Sequence, residues 1–518
     1  MAGTEPSPVD AEAAALVPRR WFAERAANLQ LTRFLLLRGI GFIYLVAFTI
    51  LVRQVLPLIG EHGLMPAAGF LERVRQAEPS SWSAFSDLPS LFWLGCSDAA
   101  LLTLAWLGWW ISLALTLGLA NAPLLFCNWV LYESFVHVGQ TFYGYGWDIL
   151  LLEAGFLAVF LAPAWRPWPR ARAVPPLPVI WLFRWLLFRL MFGAGLIKLR
   201  GDECWRELTC LLYHYETQPN PHPLSWLLHQ APPWFHKGGV LVNHLVEVVA
   251  PFGLFGPRRV RHWAGGATVA FQVMLILSGN LSFLNWLTLV LALACFDDGL
   301  LARLLPRALV QRVVLPDPQP LPRARQYVSL ALLALVALLS INPVANLLSS
   351  RQLMNSGFDP LELVNTYGAF GSVSRERHEV VMEGAAAAPP GEPLTWREYE
   401  FPCKPGAPLR PPCWITPYHL RLDWQMWFAG LSRAEQEPWI VNLADKLLQG
   451  DRAVLGLFSH NPFPDGPPRY VRATLYRYRF THFGERGWWQ RERVGPYLPV
   501  LALDDPRLQA FLRAQGWL

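Results

Sequence analysis

Apolar residues come in long unbroken runs along the first two thirds of the chain and in short alternating stretches along the last third. Phe34–Leu51, Leu101–Leu119, Ile180–Leu199 and Leu330–Ile341 are too densely apolar for solvated helices. About 20 apolar residues cross the hydrocarbon layer as a helix. Backbone groups in lipid must find partners within their own segment, so each run is expected to be helical. The pattern predicts about nine spans, at 33–57, 98–119, 122–140, 147–163, 179–199, 238–257, 263–279, 281–296 and 327–347.

Beyond residue 349 the pattern changes. In Tyr470–Phe480, Tyr476, Tyr478 and Phe480 alternate with Arg477 and Arg479, which predicts a half-buried strand. The turn at Gly484–Gly487 and the return through Trp488–Val494 complete a hairpin. His378–Met382 and Thr395–Phe401 read as further strands, Ala385–Pro393 as a flexible loop, and Pro438–Leu448 as a helix. The expected fold is a polytopic α-helical membrane protein followed by a soluble, β-rich α+β domain. Residues 1–30 are expected to form a disordered cytosolic tail, 31–348 the membrane domain with a non-cytosolic loop at 200–237, and 349–518 the soluble domain. The acidic, Pro/Ala-rich Met1–Val17 lacks the basic and apolar regions of a cleavable signal peptide.

Charge sharpens this picture. Only 16% of the 518 residues are charged, which fits membrane helices better than soluble domains, at about 25%. The net charge of +6 comes from Arg clusters at span ends, so nucleic-acid binding is excluded. With about nine spans, four clusters fall on one side. They are Arg19, Arg20, Arg25 and Arg33; Arg166, Arg170 and Arg172; Arg258, Arg259 and Arg261; and Arg303, Arg307, Arg312, Arg323 and Arg325. By the positive-inside rule that side is cytosolic, and the C-terminal domain lies opposite. Cys204, Cys210, Cys403 and Cys413 then share the compartment where disulfides persist. Pairing of neighbours, 204 with 210 and 403 with 413, is expected; pairing between the loop and the domain stays open. The sequon at Asn280 sits in a tight turn at the membrane surface and is expected to carry no glycan.

Candidate chemistry lies in ionisable residues within the spans, which are costly there and therefore functional candidates. Glu133 and His137 are spaced i,i+4, and Asp148 and Glu153 open the next span. Arg184 and Arg189 lie within the fifth span, Lys198 and Arg200 end it, and His244 and Glu247 are spaced i,i+3. They either line a polar cavity capable of acid–base work or form an ion-pair network that fixes helix packing. Gly41, Gly193 and Gly195 are expected to permit close helix approach. The loop carries His214, His222 and His229 without metal-ligand spacing, and three Trp that suit the membrane interface. No metal or cofactor motif occurs. In the C-terminal domain Tyr418–Ala429, with Tyr418, Trp424 and Trp427, and the pair Trp488 and Trp489 offer aromatic surface for a client protein, or else ordinary core.

Several strings are more specific. Gly193–Cys210 reads GAGLIKLRGDECWRELTC and His214–Pro223 reads HYETQPNPHP. Ser278–Thr288 reads SGNLSFLNWLT, with ACFDD at Ala294–Asp298. NLLSSRQLMN at Asn346–Asn355, VNTYGAFGS from Val364, YHLRLDWQMWFA at Tyr418–Ala429 and HNP at His460–Pro462 follow in order. From Leu31 onward the chain resembles the lipase maturation factor family. The resemblance implies a non-enzymatic folding factor of the endoplasmic reticulum membrane that needs no cofactor. Its clients would be homodimeric secreted lipases of the lipoprotein, hepatic and endothelial lipase kind, and its other partners further folding factors and the bilayer. The family is often drawn with fewer spans. The Ala-, Arg- and Pro-rich composition also suits a GC-rich bacterial gene, for which the membrane would be the inner membrane and the domain periplasmic. The membrane region resembles, more distantly, vitamin K-dependent carboxylase-type proteins, which keeps a membrane enzyme as the alternative. A transporter is disfavoured, because no inverted repeat or matched pair of broken helices occurs.

Overall fold

A computed structural model describes residues 26–165 and 173–518. Arg19, Arg20, Arg25, Arg166, Arg170 and Arg172, and nearly all of the tail, lie outside the described residues. Every apolar run becomes helical: α1 Gln30–Ile59, α2 Asp98–Leu117, α3 Ala122–Val138, α4 Gly146–Leu161, α5 Leu177–Arg200, α6 Pro233–His244, α7 Arg258–Ser278, α8 Leu284–Ala292 and α9 Arg323–Leu339. After α6 the chain continues through a π-helical segment, Leu245–Val249, and a 3₁₀ turn, Ala250–Phe255. After α9, Ser340 leads directly into α10, Ile341–Leu348.

The span count changes. Among the described residues five helical segments are long and apolar enough to cross a membrane: α1, α2, α5, Pro233–Phe255 and Arg323–Leu348. The expectation of about nine is not met by length and composition. α3 and α4 have 17 and 16 residues. At about 1.5 Å rise per residue, 16 residues reach roughly 24 Å, short of the roughly 30 Å hydrocarbon layer. α4 is almost wholly wrapped by its neighbours, so its length is set by protein contacts. α7 opens with Arg258, Arg259 and Arg261, which lowers its apolar content, and α8 is short.

Local sequence explains the helix ends. Ser97 caps α2, its hydroxyl accepting from the Ala100 N–H at 3.2 Å, and Gly118 ends it in the left-handed region. Asn121 caps α3. Asp298 of the ACFDD string caps α1 from far along the chain, accepting from the N–H groups of Gln30 and Leu31 at 2.9 and 2.8 Å. Two glycines of GAGLIK let backbones meet. A Cβ on Gly193 would lie 2.5 Å from the Tyr367 carbonyl, and one on Gly195 within 3.0 Å of Glu247.

The C-terminal region holds a four-stranded antiparallel sheet in the order β2-β1-β3-β4. Its strands are β1 Arg377–Ala385, β2 Trp396–Glu398, β3 Tyr470–Phe480 and β4 Trp489–Leu501. Helices α11 Arg421–Leu431, α12 Pro438–Gln449 and α13 Pro506–Gln515 join it. The expected strands and the α12 helix are present, whereas α13 gave no signal that was read. One continuous apolar core runs from α1 through α4 and α5 into α11, α12 and the sheet. The C-terminal region is therefore fused to the helical bundle by packing.

Cys204–Cys210 and Cys403–Cys413 are disulfides. Cys96, Cys127 and Cys295 are free. Alkylation of the unfolded chain should therefore modify three cysteines before reduction and all seven after it, by intact mass; a fourth labelled site without reductant would break the pairing. Asn280 is 1% exposed. Its amide donates to the carbonyls of Asn220 (3.1 Å) and Cys413 (2.9 Å) and accepts from Ile415 N–H at 2.9 Å. The sequon should stay unglycosylated, seen as unchanged gel mobility after glycosidase treatment.

Candidate functional site at the seam of bundle and sheet domain

The ionisable residues of the bundle resolve into discrete pairs, several of them completed by the C-terminal region. At the start of α4, Asp148 meets Arg421 at the start of α11, both 0% exposed at their side chains. The guanidinium donates to the two carboxylate oxygens at 3.0 and 2.9 Å and to the Phe142 carbonyl at 2.6 Å. The Tyr132 hydroxyl donates to the same carboxylate at 2.5 Å, and Arg421 lies 3.6 Å above the Tyr143 ring. Gln54 of α1 accepts from Arg421 N–H at 3.0 Å and donates to the His419 carbonyl at 2.7 Å, which fixes the first turn of α11. Such a bidentate, fully partnered arrangement is what allows two charges to be buried.

One turn along α4, Glu153 pairs with Arg189 of α5. It also accepts from Asn365 N–H at 3.1 Å and from the Tyr367 hydroxyl at 2.7 Å. Segment 352–373 therefore docks on the bundle through VNTYGAFGS. Near the end of α5, Lys198 donates to both oxygens of Glu247 at 2.6 Å, and Asn243 adds a bond at 2.9 Å. Glu247 stands on the π-helical segment, a local widening frequently found at functional positions. Glu133 and His137 pair within α3 at 2.9 Å.

Apart from the Glu133–His137 pair, the residues proposed for acid–base chemistry form separate ion pairs and no shared site. His244 turns to the Trp205 carbonyl at 3.0 Å, away from Glu247, because the π-helical segment breaks the i,i+3 alignment. Among the described residues no group of three or more His, Cys, Asp or Glu could hold a metal ion.

The aromatic candidates are placed differently from a surface. Trp424 and Trp489 are buried. Trp424 packs edge-on to Trp147 and Tyr145, and Trp489 stacks on Phe480 at 4.3 Å. The Trp427 indole N–H donates to the Thr217 carbonyl at 2.9 Å, and Gln54 donates to the Tyr418 hydroxyl at 3.1 Å. The apolar face of α11 is thus consumed by the bundle. Tyr418, Trp427 and Trp488 are half-buried; Trp488 lies beside Trp226, which in turn touches Phe483, itself 63% exposed.

A second buried charge cluster ties the sheet to loop 200–237. Arg377 of β1 pairs with Glu379 and donates to the carbonyls of Glu216, Gln218 and Pro219, while Lys404 meets Glu379 at 2.6 Å. Arg377 and Arg421 were both missed as site residues. The available signal for Arg421 was a lone arginine inside an apolar helical stretch; for Arg377 it was an arginine opening a strand. Two half-buried loop histidines near the seam disfavour their charged form. Burial, helped by Lys198, lowers His214 to about 4, and burial lowers His229 likewise to about 4.

Beneath α11 a cavity of about 360 Å³ opens. It is walled by the N-terminal ends of α4 and α8, the C-terminal ends of α5 and α7, and α6. The strings GAGLIK, SGNLSFLNWLT and VNTYGAFGS all contribute, through Lys198, Asn285 and Tyr367 among others.

A helical bundle with membrane-length segments, fused through buried ion pairs to a small antiparallel sheet domain, defines the class. The family model described as "Lipase maturation factor transmembrane domain" matches residues 31–303, and "Lipase maturation factor C-terminal domain" matches 363–499. The chain is 48% identical to lipase maturation factor 1 of Bos taurus, covering 95% of this chain and 92% of that one. It is 46% identical to lipase maturation factor 1 of Homo sapiens (94% and 90%) and 33% identical to human lipase maturation factor 2 (95% and 85%). This protein belongs to the lipase maturation factor family. No solved structure matches it.

Removing one partner of the Asp148–Arg421 pair should be far worse than removing both. Asp148→Asn should cost about 3–5 kcal/mol, read as a lowered melting temperature in detergent. The double change Asp148→Leu with Arg421→Met should recover most of that loss; equal damage from both would show that the charges are not coupled. The depressed histidines give a pH dependence. The unfolded chain takes up these protons near pH 6.5, before the folded one does near 4. Stability should therefore fall as pH drops from about 6.5 toward 4, and His214→Phe should flatten the melting curve's pH profile over that window.

Proposed function

We propose that this protein assists the maturation of secreted lipases from the endoplasmic reticulum membrane, with its N-terminus cytosolic and its sheet domain in the lumen. The observation carrying this is the 46–48% identity, across nearly the whole chain, to proteins named lipase maturation factor 1. Charge supports the orientation. Arg258, Arg259 and Arg261 open α7 and Arg323 and Arg325 open α9, at the helix ends opposite the seam. Both disulfides lie outside the membrane-length helices, in loop 200–237 and the sheet domain, as an oxidising lumen favours.

The role is that of a holding and folding factor, with the buried ion pairs serving architecture. Client contact falls to the aromatic patch where Phe483 and Trp488, at the tip of the β3–β4 hairpin, meet Trp226 of loop 200–237. Exposed aromatic clusters of this kind mark interaction surfaces. Expression in cells that lack their own maturation factor should restore the activity of secreted lipoprotein lipase per unit of lipase protein. No restoration by a correctly located protein would overturn the reading. The double change Phe483→Ser, Trp488→Ser should lower restoration about tenfold without loss of the factor. His137→Phe should leave it intact; its abolition would favour an enzyme using that residue.

A further inference from the structure

The cavity under α11 is not accounted for by lipase maturation or by helix packing. Its walls are mostly apolar, with Leu190, Met191, Phe271, Leu275, Leu284 and Trp424 among them. Its size lies within the range of about 300–1,000 Å³ typical of small-ligand sites, and too small for a folded client.

Two buried amides on its wall are incompletely partnered. Asn285, 2% exposed, donates to Gln272 Oε1 at 2.7 Å, but among the described residues no donor reaches its own Oδ1. Gln272, 4% exposed, finds for its N–H among the described residues only the Met191 sulfur at 3.5 Å, a weak acceptor. An unmet acceptor left in an apolar interior carries its full desolvation penalty. An unmet acceptor next to an underused donor suits a hydroxyl group, which both donates and accepts.

Charge limits the ligand further. Lys198 and Glu247 also line the cavity, but they satisfy each other through both carboxylate oxygens. An ionised head would have to break that pair or stay uncompensated. The entrance limits it again. Met274 lines the cavity and is 42% exposed, beside Val273 and Leu277, which also face outward on α7; Met354 and Phe428, at 43% and 38%, are exposed at the wall on the seam side. An opening beside outward-facing apolar side chains of a helix in the membrane domain admits a molecule that partitions into the bilayer.

We propose that this cavity binds a neutral lipid with a single hydrocarbon chain and a hydroxyl-bearing head, of the monoacylglycerol class. The head meets Asn285 and Gln272, and the chain lies against Phe271, Leu275 and Trp424. A two-chain phospholipid exceeds the space and brings a charged head.

The test uses the full chain in detergent and a photoactivatable diazirine monoacylglycerol as probe. Adducts should map to residues 190–198 or 271–288, and excess monoolein should abolish them. Asn285→Leu, nearly the same size, should lower labelling at least tenfold while the protein stays monodisperse. Adducts confined to the outward face of α9 would show ordinary bilayer contact and overturn the proposal. Equal competition by oleate would overturn the neutral head, and displacement by cholesterol but not monoolein would overturn the single chain. Should Asn285→Leu fail to fold, the adduct positions in the unaltered chain decide alone, and Ala194→Phe, which narrows the cavity, should lower labelling by the same factor.

Discussion

A charge buried in an apolar interior must be met by an opposite charge and by enough hydrogen bonds to replace its water. The joining of this protein's two regions follows from that requirement at Asp148. Its carboxylate sits at the entry of α4 with no solvent contact, and α4 is the most enclosed helix of the bundle. Among the described residues Arg421, 273 residues further on, neutralises it. Gln54, Phe142, Tyr132 and Tyr143 then fix both partners from three directions. Because the guanidinium is planar and bidentate, the pairing sets the angle of α11 as well as its position. Glu153 repeats the arrangement one turn along, with Arg189 from the bundle and Asn365 and Tyr367 from the following segment.

Much of this was visible in the chain, and the limits have physical causes. Apolar runs identified where helices form, because lipid and protein interiors alike demand internally bonded backbone. They did not separate spans from helices enclosed by other helices, so α3 and α4 read as spans although both are short. The ionisable residues Glu133, Asp148, Glu153, Lys198 and Glu247 were legible as unusual. Glu133 and His137 were also legible as an i,i+4 pair, but the partners that cross the seam were not, since Arg421 and Tyr367 lie hundreds of residues from Asp148 and Glu153 and spacing carries no information over that range. His244 and Glu247 were misjudged together because a π-helical segment turns their side chains apart. YHLRLDWQMWFA was readable as aromatic surface or as core. The surface that covers it belongs to α1, the segment before α4 and loop 200–237, which nothing local reveals.

Three of the strings that carried the family resemblance prove to be spatial neighbours. GAGLIK brings Gly193 and Gly195 against Tyr367 and Glu247 and places Lys198 on the cavity wall. SGNLSFLNWLT supplies Asn280, which holds the segment after Cys413, and Asn285, which faces Gln272. VNTYGAFGS closes over both. Residues of one seam are constrained by the same few contacts, so sequence strings far apart along the chain converge on one place.

The partnership of Asp148 and Arg421 also imposes an order on synthesis. All of α1 to α9 leave the ribosome before residue 421 exists, so the newborn bundle enters the membrane with a carboxylate that has no counter-charge. Until α11 arrives, that end of α4 must remain wet, protonated or shielded by another protein. A chain interrupted between α10 and α11 would hold every membrane helix and still present this defect, a mark by which quality control could distinguish an unfinished molecule from a complete one.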